Sequence, residues 1–228
     1  MTARHPLDRP AWGALTTTQA DKALGGPLAR RFDAAFGPFA ATLDDSPQSV
    51  EALGALIVAE GGVVLLQAGE TPVPPGTTAV FRAAAWQMMA PPVPAPADDP
   101  AIAALNDADA AEMLALALLT RPGPFAARTH ELGGFFGVRR DGVLAAMAGE
   151  RMQPAGYCEI SGVCAHPDHR GRGHGAALTL LVAARIQARG ETAFLHVMAD
   201  NTGALALYQA LGFTIRREMT VTALVPGR

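Results

Sequence analysis

Cysteine is scarce in this chain of 228 residues: there are two, Cys158 and Cys164. They lie six positions apart in one strand-like run. At about 3.3 Å per residue they would stand roughly 20 Å apart, which excludes a disulfide between them. Free thiols suit a reducing compartment, so the expected location is the cytoplasm. Excess positive charge is also lacking. The net charge is −3 and no basic stripe occurs, which argues against nucleic acid as a partner. Long apolar runs are missing as well. Val63 to Ala68 is the purest, far below the ~20 residues that cross a bilayer, so no membrane partner is expected. The stretch Met1 to Pro6 carries no apolar core of a secretory signal.

What is present is hydrophobic material, half of all residues, ample for one large domain or two small ones. Apolar spacing compatible with helix occurs over Pro10 to Ala14 and Pro27 to Ala41, interrupted by glycine and proline. Ser49 followed by Val50, Leu53, Leu56 and Ile57 predicts a capped amphipathic helix ending at Gly61-Gly62. Val63 to Ala68 and Thr77 to Met89 are strand candidates. Residues 1 to 90 thus form a smaller α/β region without a catalytic signature. Residues 91 to 100 hold five prolines and two aspartates, a semi-rigid linker that sets the domain boundary.

Beyond it, Asp107 to Thr120 is a helix with Met113, Leu114, Ala117 and Leu118 on its apolar face, and Phe125 to Leu132 a second short one. Strands follow at Phe135 to Arg139, Val143 to Glu150 and Tyr157 to Ala165. Asp141-Gly142 and Gln153 to Gly156 supply the turns of an antiparallel meander. A helix over Ala176 to Arg189 stops at Gly190, and Phe194 to Met198 is a fourth strand. Asp200-Asn201 cap a helix that runs to Leu211, and short strands at Phe213 to Ile215 and Met219 to Leu224 close the chain.

The most informative stretch is His166-Pro-Asp-His-Arg-Gly-Arg-Gly-His-Gly175, between a strand and a helix. Alternating glycines bring backbone N–H groups together at a helix N-terminus, the composition of a phosphate-holding loop. A P-loop ATPase would end in Gly-Lys-Ser/Thr, and His174-Gly175-Ala176 stands there instead. A dinucleotide fingerprint is formally matched by Gly171-x-Gly173-x-x-Ala176, with Asp200 as the acid. It fails because an antiparallel meander precedes it and too little chain follows. Cys164, His166, His169 and His174 match no zinc spacing, so no metal is expected.

Arg170-x-x-Gly173-x-Gly175, with Asn201, Ala204, Tyr208 and Leu211-Gly212-Phe213 downstream, resembles the GNAT superfamily of acyl-CoA-dependent N-acyltransferases over residues 100 to 228. The segment Cys158 to Cys164 before His166-Pro167 resembles a bacterial subgroup with an extra N-terminal segment. Residues 1 to 90 would be that segment, a degenerate second copy of the fold. The resemblance implies an α/β fold of α+β type with a mixed, mostly antiparallel sheet, and acetyl-CoA as co-substrate. Val163, Cys164 and Ala165 would meet the pantetheine through their backbone. Arg170, Gly171, Arg172, Gly173, His174 and Gly175 would hold the pyrophosphate, with Asn201 and Ala204 beside the coenzyme. Tyr208 would protonate the leaving thiolate, and Glu159 would act as general base, with His196, Glu150 or water in its place as alternatives. The acceptor would be an amine; Thr120, Arg121 and Phe125 stand where the family walls its pocket. A non-catalytic acyl-CoA-binding module is the rival reading.

Overall fold

The computed structural model describes residues 5–94 and 101–227. Most of the linker stretch, residues 95–100, therefore lies outside the described residues. In chain order the elements are α1 (Pro10–Thr16), β1 (Ala23–Gly25), β2 (Ala29–Phe32), β3 (Phe39–Thr42), α2 (Pro47–Glu60), β4 (Val63–Gln67) and β5 (Thr77–Met89). After the linker come β6 (Ile102–Leu105), α3 (Ala110–Thr120), β7 (Phe135–Arg140), β8 (Val143–Glu150), β9 (Tyr157–Ala165), α4 (His174–Ala188), β10 (Thr192–Met198), α5 (Thr202–Ala210) and β11 (Thr214–Pro226). All eleven strands belong to one sheet in the order β1-β2-β3-β4-β11-β5-β10-β9-β8-β7-β6. Among the described residues only β3/β4 and β9/β10 pair in parallel, each across the helix that joins them. The architecture is therefore mixed α/β with a mostly antiparallel sheet.

The sheet order is close to a mirror of itself. β1-β2-β3-α2-β4 runs as an antiparallel meander, a crossover helix and a parallel strand, and β7-β8-β9-α4-β10 repeats that plan. The strands that end the two halves are exchanged. β5 pairs with β10, and β11 pairs with β4, while β5 and β11 pair with each other through twelve register positions. No helix among the described residues is long and apolar enough to cross a membrane.

Local sequence explains where elements begin and end. Ser46, not Ser49, caps α2, accepting from the Ser49 N–H, and Gly61 ends it at φ 90°. Asp141 and Gly142 both have positive φ, as a two-residue hairpin turn between β7 and β8 requires. Four expectations are corrected. Pro27 to Ala41 forms β2 and β3 rather than helix. Its residues are buried on both faces, Phe32, Phe39 and Ala41 toward α1 and Ala29 and Ala40 toward α2, so no period-two alternation is visible. On α3 the buried residues are Met113, Leu116 and Ala117, whereas Leu118 is 66% exposed. The helix expected over Phe125 to Leu132 shrinks to a 3₁₀ turn at Thr129–Leu132. The two closing strands are one, β11, bent by a bulge at Arg216.

α3 and α4 lie on opposite faces of the second meander. Phe135, Leu144, Met147 and Cys164 pack with α3, while Phe136, Ala146, Cys158 and Ile160 pack with α4. This alternation along β7 to β9 is what aims Val163 and Cys164 to opposite sides.

Candidate active site

The site begins where two parallel strands part. β9 and β10 pair from Tyr157–Thr192 to Ile160–Leu195 and then separate. Gly162, at φ 65°, lies in the irregular stretch of β9 where its pairing with β8 shifts register. The backbone of Ser161 to Ala165 therefore has no partner on the β10 side. A cavity of about 450 Å³ occupies the gap. Val163, His196, Val197, Met198, Asn201, Ala204 and Tyr208 line one side of it.

The glycine loop lies at the N-terminus of α4. Gly171 and Gly173 take left-handed φ of 73° and 80°, which L side chains resist. Gly173 is the residue before the first turn of this 15-residue helix. A Cβ at Gly175 would meet only Leu207 and Val163 at 3.9 Å, ordinary contact, so packing within the protein does not demand a glycine there. Arg170, Gly171, Arg172 and Gly173 are exposed. The Arg170 Nε donates to the Ala165 carbonyl and the Arg172 Nη2 to that of Asp168, both at 3.4 Å, which ties the loop to itself.

On α5, Asn201 caps the helix by accepting from the Ala204 N–H at 3.1 Å. One face further on, Tyr208 is buried among the residues that pack under α4 and still lines the cavity. Burial, with the Cys164 sulfur as a smaller cause, pushes its phenol up to about 12. Its hydroxyl makes no hydrogen bond among the described residues and stays protonated in ordinary buffers. Cys164 is buried among α3 side chains, and burial raises its thiol to about 11.

The carboxylate expected to face an acceptor does not. Glu159 is fully buried and does not line the cavity. Its two oxygens accept from the Arg151 Nε and Nη2 at 2.9 and 2.7 Å, and Oε1 also accepts from His196 Nδ1 at 2.7 Å. Burial works to raise the Glu159 carboxyl, but Arg151 and His196 outweigh it and hold it well below the ordinary carboxylate range. His196 has no free nitrogen either. The Gln87 Oε1 is taken by Arg216, so its Nε2 is the donor to His196 Nε2 at 2.9 Å, which leaves Nδ1 as the nitrogen that donates to Glu159. Gln87 also donates to the Leu7 carbonyl, and Arg216 reaches Asp8 at 2.6 Å. The polar chain thus runs from Arg151 across β9, β10 and β5 to the N-terminal segment. Glu150 sits elsewhere, buried and paired with Arg189 at 2.9 Å.

Removing the Glu159 carboxylate would leave Arg151 charged and unpaired in the interior. Glu159→Gln should lower stability by about 3 kcal/mol near neutral pH, measured by denaturant unfolding. The sign with pH follows from the depressed carboxyl. Its contribution is complete above the ordinary value of 4.5 and is lost as pH falls through the lower folded value. The gap between variant and parent should therefore narrow on acidification; a gap that widens would contradict the pairing.

The remaining walls were illegible in the sequence. Phe39, Val64, Leu66, Phe81, Ala85 and Val221 come from the N-terminal half and from β11. Of the expected pocket residues, Arg121 lines the cavity in a left-handed conformation, whereas Thr120 bonds back to Leu116 and Phe125 packs edge-on against Phe135. Arg151 was overlooked too. The available signal was its charge, opposite to that of Glu159 across the Gln153 to Gly156 turn. No group of three or more His, Cys, Asp or Glu among the described residues is arranged to hold a metal.

Residues 135–222 match the family model described as FR47-like protein. A crystal structure of a GNAT-family protein from Novosphingobium aromaticivorans is similar over 99% of this chain and 100% of its own, with 45% identity and a TM-score of 0.92. A GCN5-related N-acetyltransferase from Kribbella flavida shares the fold at 20% identity and a TM-score of 0.62, over 96% of this chain and 95% of its own. Among curated proteins, the mycothiol acetyltransferase of Thermobispora bispora is 37% identical over 90 residues, 36% of this chain. The match spans 30% of that relative's length.

Proposed function

The chain belongs to the GNAT family of acetyltransferases, and from that premise we propose that it transfers an acetyl group from acetyl-CoA to a primary amine by direct attack. The observation that carries this reading is the coincidence of three features at one place: the glycine loop at the start of α4, the parting of β9 from β10, and Tyr208 beside the gap. The residues fit the coenzyme. Exposed loop amides and the positive end of α4 suit a pyrophosphate, with Arg170 and Arg172 adding charge. Gly175, which packing leaves free to be larger, is small for the sake of that approach. The backbone of Val163 to Ala165, paired with β8 but open on the β10 side, offers hydrogen bonds to the pantetheine and, at the thioester carbonyl, an oxyanion-stabilising donor. Cys164 takes part through its backbone alone, and Asn201 and Ala204 shape the start of α5 against the coenzyme.

The bound co-substrate supplies an electrophilic thioester carbonyl and a thiolate leaving group. The amine nitrogen forms the new bond to that carbon, and the carbon–sulfur bond breaks. Tyr208, protonated and without another partner, gives its proton to the departing sulfur. Neither Glu159 nor His196 has a free basic atom facing the cavity, so water takes the proton that the amine loses and returns one to Tyr208. Glu159 instead acts as the anchor of Arg151 and His196.

Residues 1–90 are proposed to be a degenerate copy of the same fold, joined to the catalytic half by the linker at 91–100. The repeated strand order supports this. The loop between β3 and α2 is Leu43-Asp44-Asp45-Ser46, with neither the arginines nor the glycines of its counterpart. Hydrogen bonds from Ser46 and Ser49 hold Asp44 charged at about 2, so this loop repels a phosphate. Calorimetry should therefore find one coenzyme A bound per chain and no NAD binding, and acetyl-CoA with an amine panel should release free coenzyme A thiol. Two equivalent sites would refute the degenerate reading. Binding without turnover of any amine would favour a non-catalytic acyl-CoA module.

A further inference from the structure

The cavity's wall chemistry selects among amines. We infer that the acceptor is a small amine carrying an apolar body and a carboxylate, an apolar amino acid in the simplest case, with the Arg151 Nη1 receiving the carboxylate. This rests on the acetyl-transfer reading above. Among the described residues no aspartate or glutamate lines the cavity, whereas Arg121 and Arg151 both do. Around them the walls are apolar, including Phe39, Leu66 and Phe81. A polyamine would bring at least two positive charges to a lining that holds two arginines, of which only Arg151 has a counter-ion, Glu159, and that one lies behind the wall.

Arg151 is built in rather than incidental. Its side chain is only 9% exposed. Nε and Nη2 are committed to Glu159, and the guanidinium lies 4.4 Å from the centre of the Phe39 ring. These contacts prevent it from swinging to solvent. Nη1 makes no hydrogen bond among the described residues, so a fixed and nearly buried donor group faces the cavity without an acceptor. The N–H groups of Nη1 offer a carboxylate a charge-assisted hydrogen bond in the guanidinium plane. An apolar amine lacking that group would leave the donor unmet, and an unmet buried donor is costly. The volume of about 450 Å³, shared with the acetyl end of the coenzyme, sets the size to that of a single amino acid.

The test uses the full chain with acetyl-CoA and matched acceptors: leucine, methionine and phenylalanine, their amides, phenethylamine, and spermidine. The free amino acids should exceed their amides in kcat/KM by about 10- to 100-fold, the size of a charge-assisted hydrogen bond. Arg151→Lys keeps a cation beside Glu159 but lacks the second nitrogen, and should bring that ratio close to one. Equal use of acids and amides would overturn the inference. So would a preference for spermidine, or failure of every amino acid while acetyl-CoA still binds by calorimetry. Absence of acetyl-CoA binding would remove the acetyl-transfer reading itself, and this inference with it.

Discussion

Glutamate in place of Gly173 is expected to abolish coenzyme A binding, with affinity falling by about 100-fold or more. Two effects add. Gly173 has a φ of 80°, and a non-glycine residue there costs about 1–2 kcal/mol of backbone strain. The loop relieves that strain by turning, which moves its amides off the line they share with α4. The new carboxylate then lies at the positive end of α4, where it competes with a phosphate for the same N–H groups and repels it. Among the described residues nothing beyond its chain neighbours lies within 4 Å of a Cβ at this position, so no packing clash accompanies the backbone strain. Calorimetric titration with coenzyme A measures the loss, and an unaltered melting curve shows that it is local. Tight binding by this variant would mean that the pyrophosphate sits elsewhere.

Tyr208→Phe is expected to lower turnover by about 100-fold while leaving coenzyme affinity unchanged. Phenylalanine fills the same space against Phe213 and the α4 side chains, so stability should change little. What is lost is the hydroxyl proposed to protonate the leaving thiolate. Burial pushes the phenol of the parent up to about 12, so activity should show no loss from Tyr208 deprotonation in neutral or mildly alkaline buffer. Single-turnover measurements are the right check, because slow product release can mask a chemical defect. A chemical step of unchanged rate would take Tyr208 out of the mechanism.

Much of the second half was legible because its signals are local. Asp141-Gly142 marks a turn, Gly190 a helix end, and Gly171-x-Gly173 a pair of left-handed positions, and each acts within a few residues. In the first half α2, β4 and β5 were legible too, whereas the stretch before α2 was opaque for a physical reason. β2 and β3 are buried on both faces between α1 and α2, so their residues alternate in direction without alternating in polarity. Side-chain partnerships were harder still. That Glu159 lies in a strand could be read, but whether its carboxylate meets an acceptor or an arginine depends on Arg151 turning inward eight residues earlier. Gln87, 109 positions from His196, decides whether that imidazole is free. Contacts of such separation leave no trace in spacing.

The exchange of β5 and β11 makes the two halves interdependent. Each closes its own sheet only by accepting the other's last strand, so neither has a complete edge alone. The half with the glycine loop is therefore not a portable module. A change in β4 or β5 far from any coenzyme atom can reach acetyl transfer through the strand it neighbours. The half that carries the glycine loop thus leans on a strand, β5, supplied by a half whose own loop before α2 has no glycine.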